Sequence, residues 1–298
     1  MKLLIIGGCG YVGSAIGKHL ADKHEITNID LEWFGNFAVT ENINMDYDDL
    51  TPKFLKDFDA VILLAGHSSV KMCEEDLLSS YNNNVRNFIN LLGKLDKQKF
   101  LYASSASVYG DNSDSSINEL SNTQTPINYY DMGKLHIDHI ASLSTKEYYG
   151  LRFGTVNGVG PTIRTDLMIN AMTYSALTDK IINVNNGSTV RSILGLKDLC
   201  RAVETILDSE SNPGIYNLSS FTTTAIEVAR DVSDITGASI NDMGDTLKNK
   251  YNFDMDTTKF CETFNFEFKE TARTIAQDLT DKFKEYDKSN RSESIHYT

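Results

Sequence analysis

The chain has 298 residues, with 28 Lys and Arg against 41 Asp and Glu, a formal net charge of −13 at pH 7. That balance excludes a broad nucleic-acid-binding face, which needs a surplus of basic side chains. An apolar share of 41% excludes a disordered chain, and no stretch reaches the ~20 consecutive apolar residues of a membrane span.

Four cysteines, Cys9, Cys73, Cys200 and Cys261, lie far apart without a Cys-x-x-Cys pair. Neither a zinc site nor a disulfide framework is expected, which suits a cytoplasmic, reducing compartment.

Six short runs rich in apolar residues recur through the first half, at residues 3–6, 26–29, 43–45, 61–65, 100–103 and 151–156, and those at 3–6, 61–65 and 100–103 are continuously apolar. Continuous rather than alternating runs are the signature of parallel strands covered on both faces. The first run leads into Gly7-Gly8-Cys9-Gly10-Tyr11-Val12-Gly13, behind which Val12, Ile16 and Leu20 share a helical face. Glycines at 7, 10 and 13 permit a tight turn, close approach of backbone N–H groups to a pyrophosphate, and close packing of helix on strand. Gly7, Gly10, Tyr11, Val12 and Gly13 are therefore the candidate phosphate contacts.

The second run ends at Asp30, whose carboxylate would accept hydrogen bonds from ribose hydroxyls and repel a 2′-phosphate, favouring NAD over NADP. The third ends at Asp46, placed to reach an adenine amino group or to cap a helix. The fourth ends at Leu64-Ala65-Gly66, and after it Leu77, Tyr81, Val85, Phe88 and Leu92 share a helical face expected to be chiefly core. The fifth opens into Ser104-Ser105-Ala106-Ser107-Val108-Tyr109-Gly110, at the strand end where open α/β sheets bind ligands. On the next helix Tyr130 and Lys134 stand four apart on one face, and Leu135, His139 and Leu143 share another. His136 and His139 beside Asp138 fit a helix face better than a metal site, so no metal is expected.

Strand and helix alternating in this way imply a doubly wound parallel sheet. After residue 156 the segments shorten, with breaks at Gly158-Val159-Gly160-Pro161 and Asn212-Pro213-Gly214. The expected organisation is a nucleotide-binding domain at 1–160 to which 197–219 return, a smaller mixed α/β domain from 161–196 and 220–288, and a fraying tail at 289–298.

Taken in order, the Gly7–Gly13 loop, Asp30, Leu64-Ala65-Gly66, Asn84, Ser-Ser-Ala-Ser-Val-Tyr-Gly at 104–110, Tyr130 with Lys134, Leu151-Arg152-Phe153, and Arg191 with Asp198 resemble the extended short-chain dehydrogenase/reductase family. These are the NAD-dependent sugar-nucleotide epimerases and dehydratases, and the likeness runs over nearly the whole chain. It implies a Rossmann domain, NAD as cofactor, a nucleotide-diphosphate sugar as substrate and a homodimer. It assigns Tyr130 as general base, Lys134 as its electrostatic partner and ribose ligand, and Ser105 as the group orienting the sugar hydroxyl. Leu64, Ala65, Gly66 and Asn84 join the cofactor contacts, while Ser107, Thr155, Arg164, Asn170 and Arg191 are substrate candidates. The chemistry supports the pairing independently. A hydroxyl losing hydride must also lose its proton, and a phenol of pKa about 10 needs a neighbouring cation to ionise.

Dehydratases of the family carry Thr-Asp-Glu-Val-Tyr-Gly at this site, and a 3,5-epimerising subgroup carries Cys at the position of Ala106. Ala106 and Ser107 here supply neither carboxyl nor thiol, which leaves hydride chemistry at one carbon. The favoured reading is a 4-epimerase. The alternatives are a 4-dehydrogenase or 4-ketoreductase, and a catalytically silent NAD-binding regulator, the last disfavoured because Tyr130 and Lys134 are both present.

Overall fold

The computed structural model describes residues 1–110, 116–245 and 252–289; of the expected tail, residues 290–298 lie outside the described part. Its strands in chain order are β1 (Lys2–Ile6), β2 (Glu25–Asp30), β3 (Asn42–Asn44), β4 (Ala60–Leu63), β5 (Lys99–Ser105), β6 (Tyr148–Phe153), β7 (Thr155–Asn157), β8 (Ile181–Val184), β9 (Val190–Gly195), β10 (Gly214–Leu218), β11 (Phe221–Thr224) and β12 (Ser239–Asp242).

In β1, Leu3 and Ile5 point to one side of the sheet and Leu4 and Ile6 to the other, and all four are buried. A strand flanked by core on both faces can only be covered by helices on both sides. The seven strands accordingly form one parallel sheet in the order β10-β6-β5-β4-β1-β2-β3. Ile16 and Leu20 of the helix Tyr11–Leu20 pack on the first face, and Phe88, Leu91 and Ile137 on the second. Each such side chain contributes roughly 1.5–3 kcal/mol on leaving water. A smaller three-stranded sheet, β11-β9-β7, and the pair β12-β8 adjoin a third core of Ile169, Val228, Ile275 and Leu279. Among the described residues, no helix is long and apolar enough to cross a membrane, and no group of three or more metal-ligating side chains occurs.

Local structure departs from the sequence expectation in four places. The run 151–156 is two strands: the Gly154 N–H bonds to the Leu218 carbonyl at 2.9 Å, a side chain at Gly154 would collide with Ser192, and β7 beyond it belongs to the smaller sheet. The third strand ends at Asn44, so Asp46 stands beyond it and caps a short 3₁₀ turn by accepting from the Asp48 N–H at 2.9 Å. The stripe 77–92 is core only in its second half. Val85, Phe88 and Leu92 are buried, but Leu77 and Tyr81 are exposed, because a π-turn at Asn82–Arg86 rotates the helix face between Leu77–Tyr81 and Asn87–Lys94. On the helix Tyr129–Ser142 the packed face is Ile137, Asp138 and Ala141, while Leu143 just beyond it is 87% exposed, because Asp138 pairs inward with Arg152.

The helix Leu196–Asp208 packs against Tyr11–Leu20, with His19 and Lys23 on Glu204. Its start is tied to the C-terminal segment by two buried carboxyls. The Asp198 carboxylate accepts from the Lys269 and Glu270 N–H groups, and Glu270 accepts in return from the Asp198 N–H at 3.0 Å. Burial pushes the Glu270 carboxyl up to about 7, with Asp198 repelling its charged form and the Asp198 N–H opposing both. The folded state therefore holds a proton that the unfolded chain has released, and this contribution to stability is lost as pH rises through the window up to about 7. The melting temperature is expected to fall between about pH 5 and about pH 8, and to fall less in Glu270→Gln, which keeps the accepting oxygen. An equally steep fall in the variant would exclude Glu270 as the source.

Candidate active site

At the carboxyl ends of the parallel strands, the chain between β1 and the first helix turns through Gly7, whose φ of +88° suits glycine, and a side chain there would strike the Ala65 backbone. A side chain at Gly13 would strike the Gly7 carbonyl. These two glycines are explained by the protein's own packing. Gly10 is not: a Cβ there would find only the Gly7 oxygen, 3.8 Å away. The helix that Gly10 begins has no side-chain cap and no acidic residue in its first turn, which leaves the positive end of the helix for an anion. The loop thus fits a dinucleotide pyrophosphate laid against Gly10, Tyr11 and Val12.

Asp30, at the end of β2, is pinned by two backbone donors, Cys9 N–H at 3.0 Å and Glu32 N–H at 2.7 Å. Leu64 and Ala65 follow β4 and donate their N–H groups to the Ile6 carbonyl. Asn84 clamps His67, two residues on, accepting from its N–H at 2.8 Å and donating to its carbonyl at 3.0 Å. A side chain at Gly66 would collide with that amide, so Asn84 shapes this edge from behind.

A cavity of about 280 Å³ opens beside the glycine loop, lined among others by Tyr11, Ser105, Ser107, Tyr130, Lys134 and Arg164. Ser105 stands at the end of β5, its Oγ 2.8 Å from the Ser107 Oγ, and its hydroxyl favours the ionised form of the Tyr130 phenol. Asn128 caps the helix that carries Tyr130 and Lys134. The Lys134 Nζ donates to the Ala103 carbonyl at 2.6 Å and lies 5.7 Å from the Tyr130 ring centre. Burial pushes the Tyr130 phenol up to about 12, against the pull of Ser105 and the more distant charge of Arg164. Burial likewise pushes the Lys134 ammonium down to about 8, with Asp138 acting in the opposite sense. A phenol and a cation held together, both half-buried, are available for proton transfer at a hydroxyl in this cavity.

The substrate candidates fall in different places. Ser107, Thr155 and Arg164 line the cavity. Arg164 is held by Asp166 through bonds of 3.0 and 2.5 Å. Arg191 stacks over the Phe253 ring at 5.7 Å, and Phe253 lines the cavity, so Arg191 stands one side chain behind it. Asn170, expected to touch substrate, is instead fully buried. Its Oδ1 accepts from the Gly158 N–H, and its Nδ2 donates to the Arg164 carbonyl and the Tyr11 hydroxyl, which makes it a support for both loops.

Sequence reasoning missed Phe253. Nothing local marks it; it is carried to the cavity because the Met255 N–H bonds to Ser192 and Met255 bridges to Ile117. Also missed was the buried chain behind the site, in which Arg152 bonds to Asp138 at 2.8 Å and to the Tyr109 hydroxyl at 2.7 Å, and Tyr109 donates to Asn217 at 2.7 Å. Asp138, one helical turn after Lys134, was the available signal.

Residues 3–219 match the family described as the NAD dependent epimerase/dehydratase family. Protein CapI of Staphylococcus aureus is 28% identical over 239 residues, 72% of this chain and 71% of that protein. A UDP-glucose 4-epimerase of Lactobacillus helveticus is 30% identical over 174 residues, 53% of this chain and 52% of that one. Among solved structures, UDP-glucuronic acid 4-epimerase from Bacillus cereus in complex with UDP-glucuronic acid and NAD superposes with a TM-score of 0.84 at 20% identity, covering 96% of this chain and all of that one.

Proposed function

Because the chain belongs to the NAD dependent epimerase/dehydratase family, it is an enzyme that uses NAD, and we infer that its reaction is 4-epimerisation of a sugar nucleotide. The observation that carries this reading is the make-up of the cavity. Ser105, Tyr130 and Lys134 converge there, and among the described residues no carboxyl or thiol lines it. Expelling water from the sugar needs an acid and a base beyond the tyrosine, and Ala106 and Ser107 provide neither.

When bound, NAD supplies a hydride acceptor and, in its oxidised form, a positive charge that favours the phenolate of Tyr130. Tyr130 takes the proton of the sugar hydroxyl as the C4 hydrogen leaves with its electron pair, and the sugar becomes a 4-ketone. Ser105 holds that oxygen, and Lys134 keeps its charge beside the phenolate while fixed to Ala103. After the ketone presents its other face and regains the hydride, Tyr130 returns the proton. Arg164 and Arg191 are the cations suited to the substrate's diphosphate or its sugar. In this reading residues 1–160 with 197–219 hold the cofactor and 161–196 with 220–288 the sugar nucleotide. The presence of β10 in the large sheet supports that division, and the place of β7 in the smaller sheet supports a boundary at Gly154. Exposed Leu77, Leu78, Tyr81 and Leu143 suit a homodimer contact between the two long helices, for which sedimentation is the check.

The test is incubation with UDP-, GDP-, CDP- and dTDP-sugars, read by NMR at the sugar C4 proton. Interconversion of saturated sugars without net change in NADH is expected. Net NADH formation or consumption would select a 4-dehydrogenase or 4-ketoreductase instead.

A further inference from the structure

The segment after Asp30 is held in an unusual way. β2 and β4 are the two neighbours of β1, about 10 Å apart across it, and the glycine loop sits at the end of β1 between them. Leaving β2, the chain turns at Glu32 and Gly35, with the Gly35 N–H on the Glu32 carbonyl at 3.0 Å. It is tied to the glycine loop at two points: the Phe37 N–H donates to the Cys9 carbonyl at 3.3 Å, and the Cys9 thiol lies 3.2 Å from the Asn36 Oδ1. The Asn36 amide in turn donates to Glu32 at 2.9 Å. From this base Trp33, the one tryptophan of the chain, reaches across to the β4 side. Its ring meets His67 edge to face, with centroids 5.2 Å apart and planes at 72°.

His67 is a fixed surface for that contact. It is buried, its backbone is clamped on both sides by Asn84, its ring Nδ1 lies 3.4 Å from the Asn83 amide, and it lines the cavity. Trp33 is 50% exposed and gains little from burial. An indole held half in water, spanning the ends of both neighbours of the phosphate-binding loop, is unexplained by packing of the core alone.

We propose that residues 31–37 form a strap over the dinucleotide groove, closed by Trp33 on His67, and that this contact slows release of NAD. The inference rests on the NAD reading above and deepens it. A retained cofactor is what a reaction returning its own hydride requires, whereas a dehydrogenase must exchange cofactor each turnover. A dinucleotide laid from Asp30 across Gly10 toward the Leu64–His67 edge, as the NAD reading has it, would cross the span between β2 and β4 that Trp33 bridges, and would leave after the ring contact opens.

The test is release of bound NADH, followed by nicotinamide fluorescence after a chase with excess NAD, on the full chain. An aromatic edge contact is worth about 0.5–1.5 kcal/mol, so Trp33→Ala should release NADH about two- to twelvefold faster. Trp33→Phe, which keeps a ring against His67, should stay near the wild-type rate. Equal release rates for wild type and Trp33→Ala, both binding NADH, would overturn the strap and leave the NAD reading standing. Failure of the folded wild type to bind NADH or NAD would overturn both.

Discussion

Tyr130→Phe is expected to lower hydride transfer by about 10²–10⁴-fold, the usual worth of a positioned general base, while the protein folds and retains NAD. The phenyl ring keeps the packing of Tyr130 beside Lys134, and Ser105 keeps Ser107 as a hydrogen-bond partner, so no buried polar group is orphaned. What is lost is the oxygen that accepts the sugar proton. Among the residues lining the cavity, Lys134 is pinned to Ala103, the serines are far weaker bases, and the His67 ring is engaged by Asn83 and Trp33, which leaves none free to replace it. The measurement is single-turnover NADH absorbance at saturating sugar nucleotide, together with bound NAD released by acid. A Phe variant with wild-type turnover would remove Tyr130 from the chemistry and with it the proposed mechanism.

Asp138→Ala is expected to destabilise the protein by about 3–5 kcal/mol, because it leaves a buried guanidinium without its counter-charge. The side chains of Arg152 and Asp138 are 6% and 1% exposed and meet at 2.8 Å. Asp138 also accepts from the Tyr102 hydroxyl at 3.1 Å, and Arg152 continues the chain to Tyr109 and Asn217. The pair joins the helix bearing Lys134 to β6, and its Tyr109 branch ties the turn after Ser105 to β10. Removing one partner therefore loosens the wall behind the site as well as the core. Denaturant unfolding measures the loss. The double variant Asp138→Leu with Arg152→Met, which removes both charges and keeps apolar volume, should recover most of it. A single-variant loss below about 1 kcal/mol would mean that water reaches Arg152 and that the pair is not buried in solution.

The Lys134 helix illustrates how far local patterning reaches. Periodicity correctly made it a helix and put Tyr130 and Lys134 on one face, because residues four apart must lie together on an α-helix. It grouped Leu135, His139 and Leu143, of which Leu135 is partly buried but His139 and Leu143 are exposed, and it could not show that Asp138 turns inward to Arg152, fourteen residues away, and to Tyr102. Asn170 shows the same limit. It stands among the substrate candidates by resemblance, but what fixes it is the meeting of nearby Gly158 and Arg164 with Tyr11, which lies far away in the chain.

The sequence by itself determined the parallel sheet, the glycine turn, the acidic end of β2 and the Ser, Tyr and Lys set, because each depends on strand and helix periods or on residues close in the chain. The tertiary structure alone decided which glycine is bare for a ligand rather than for packing, which helix faces look outward, that Phe253 reaches the cavity, and that Trp33 crosses to His67. Those features arise where segments far apart in sequence meet, and burial, charge pairing and ring contact across such meetings leave no local period to read.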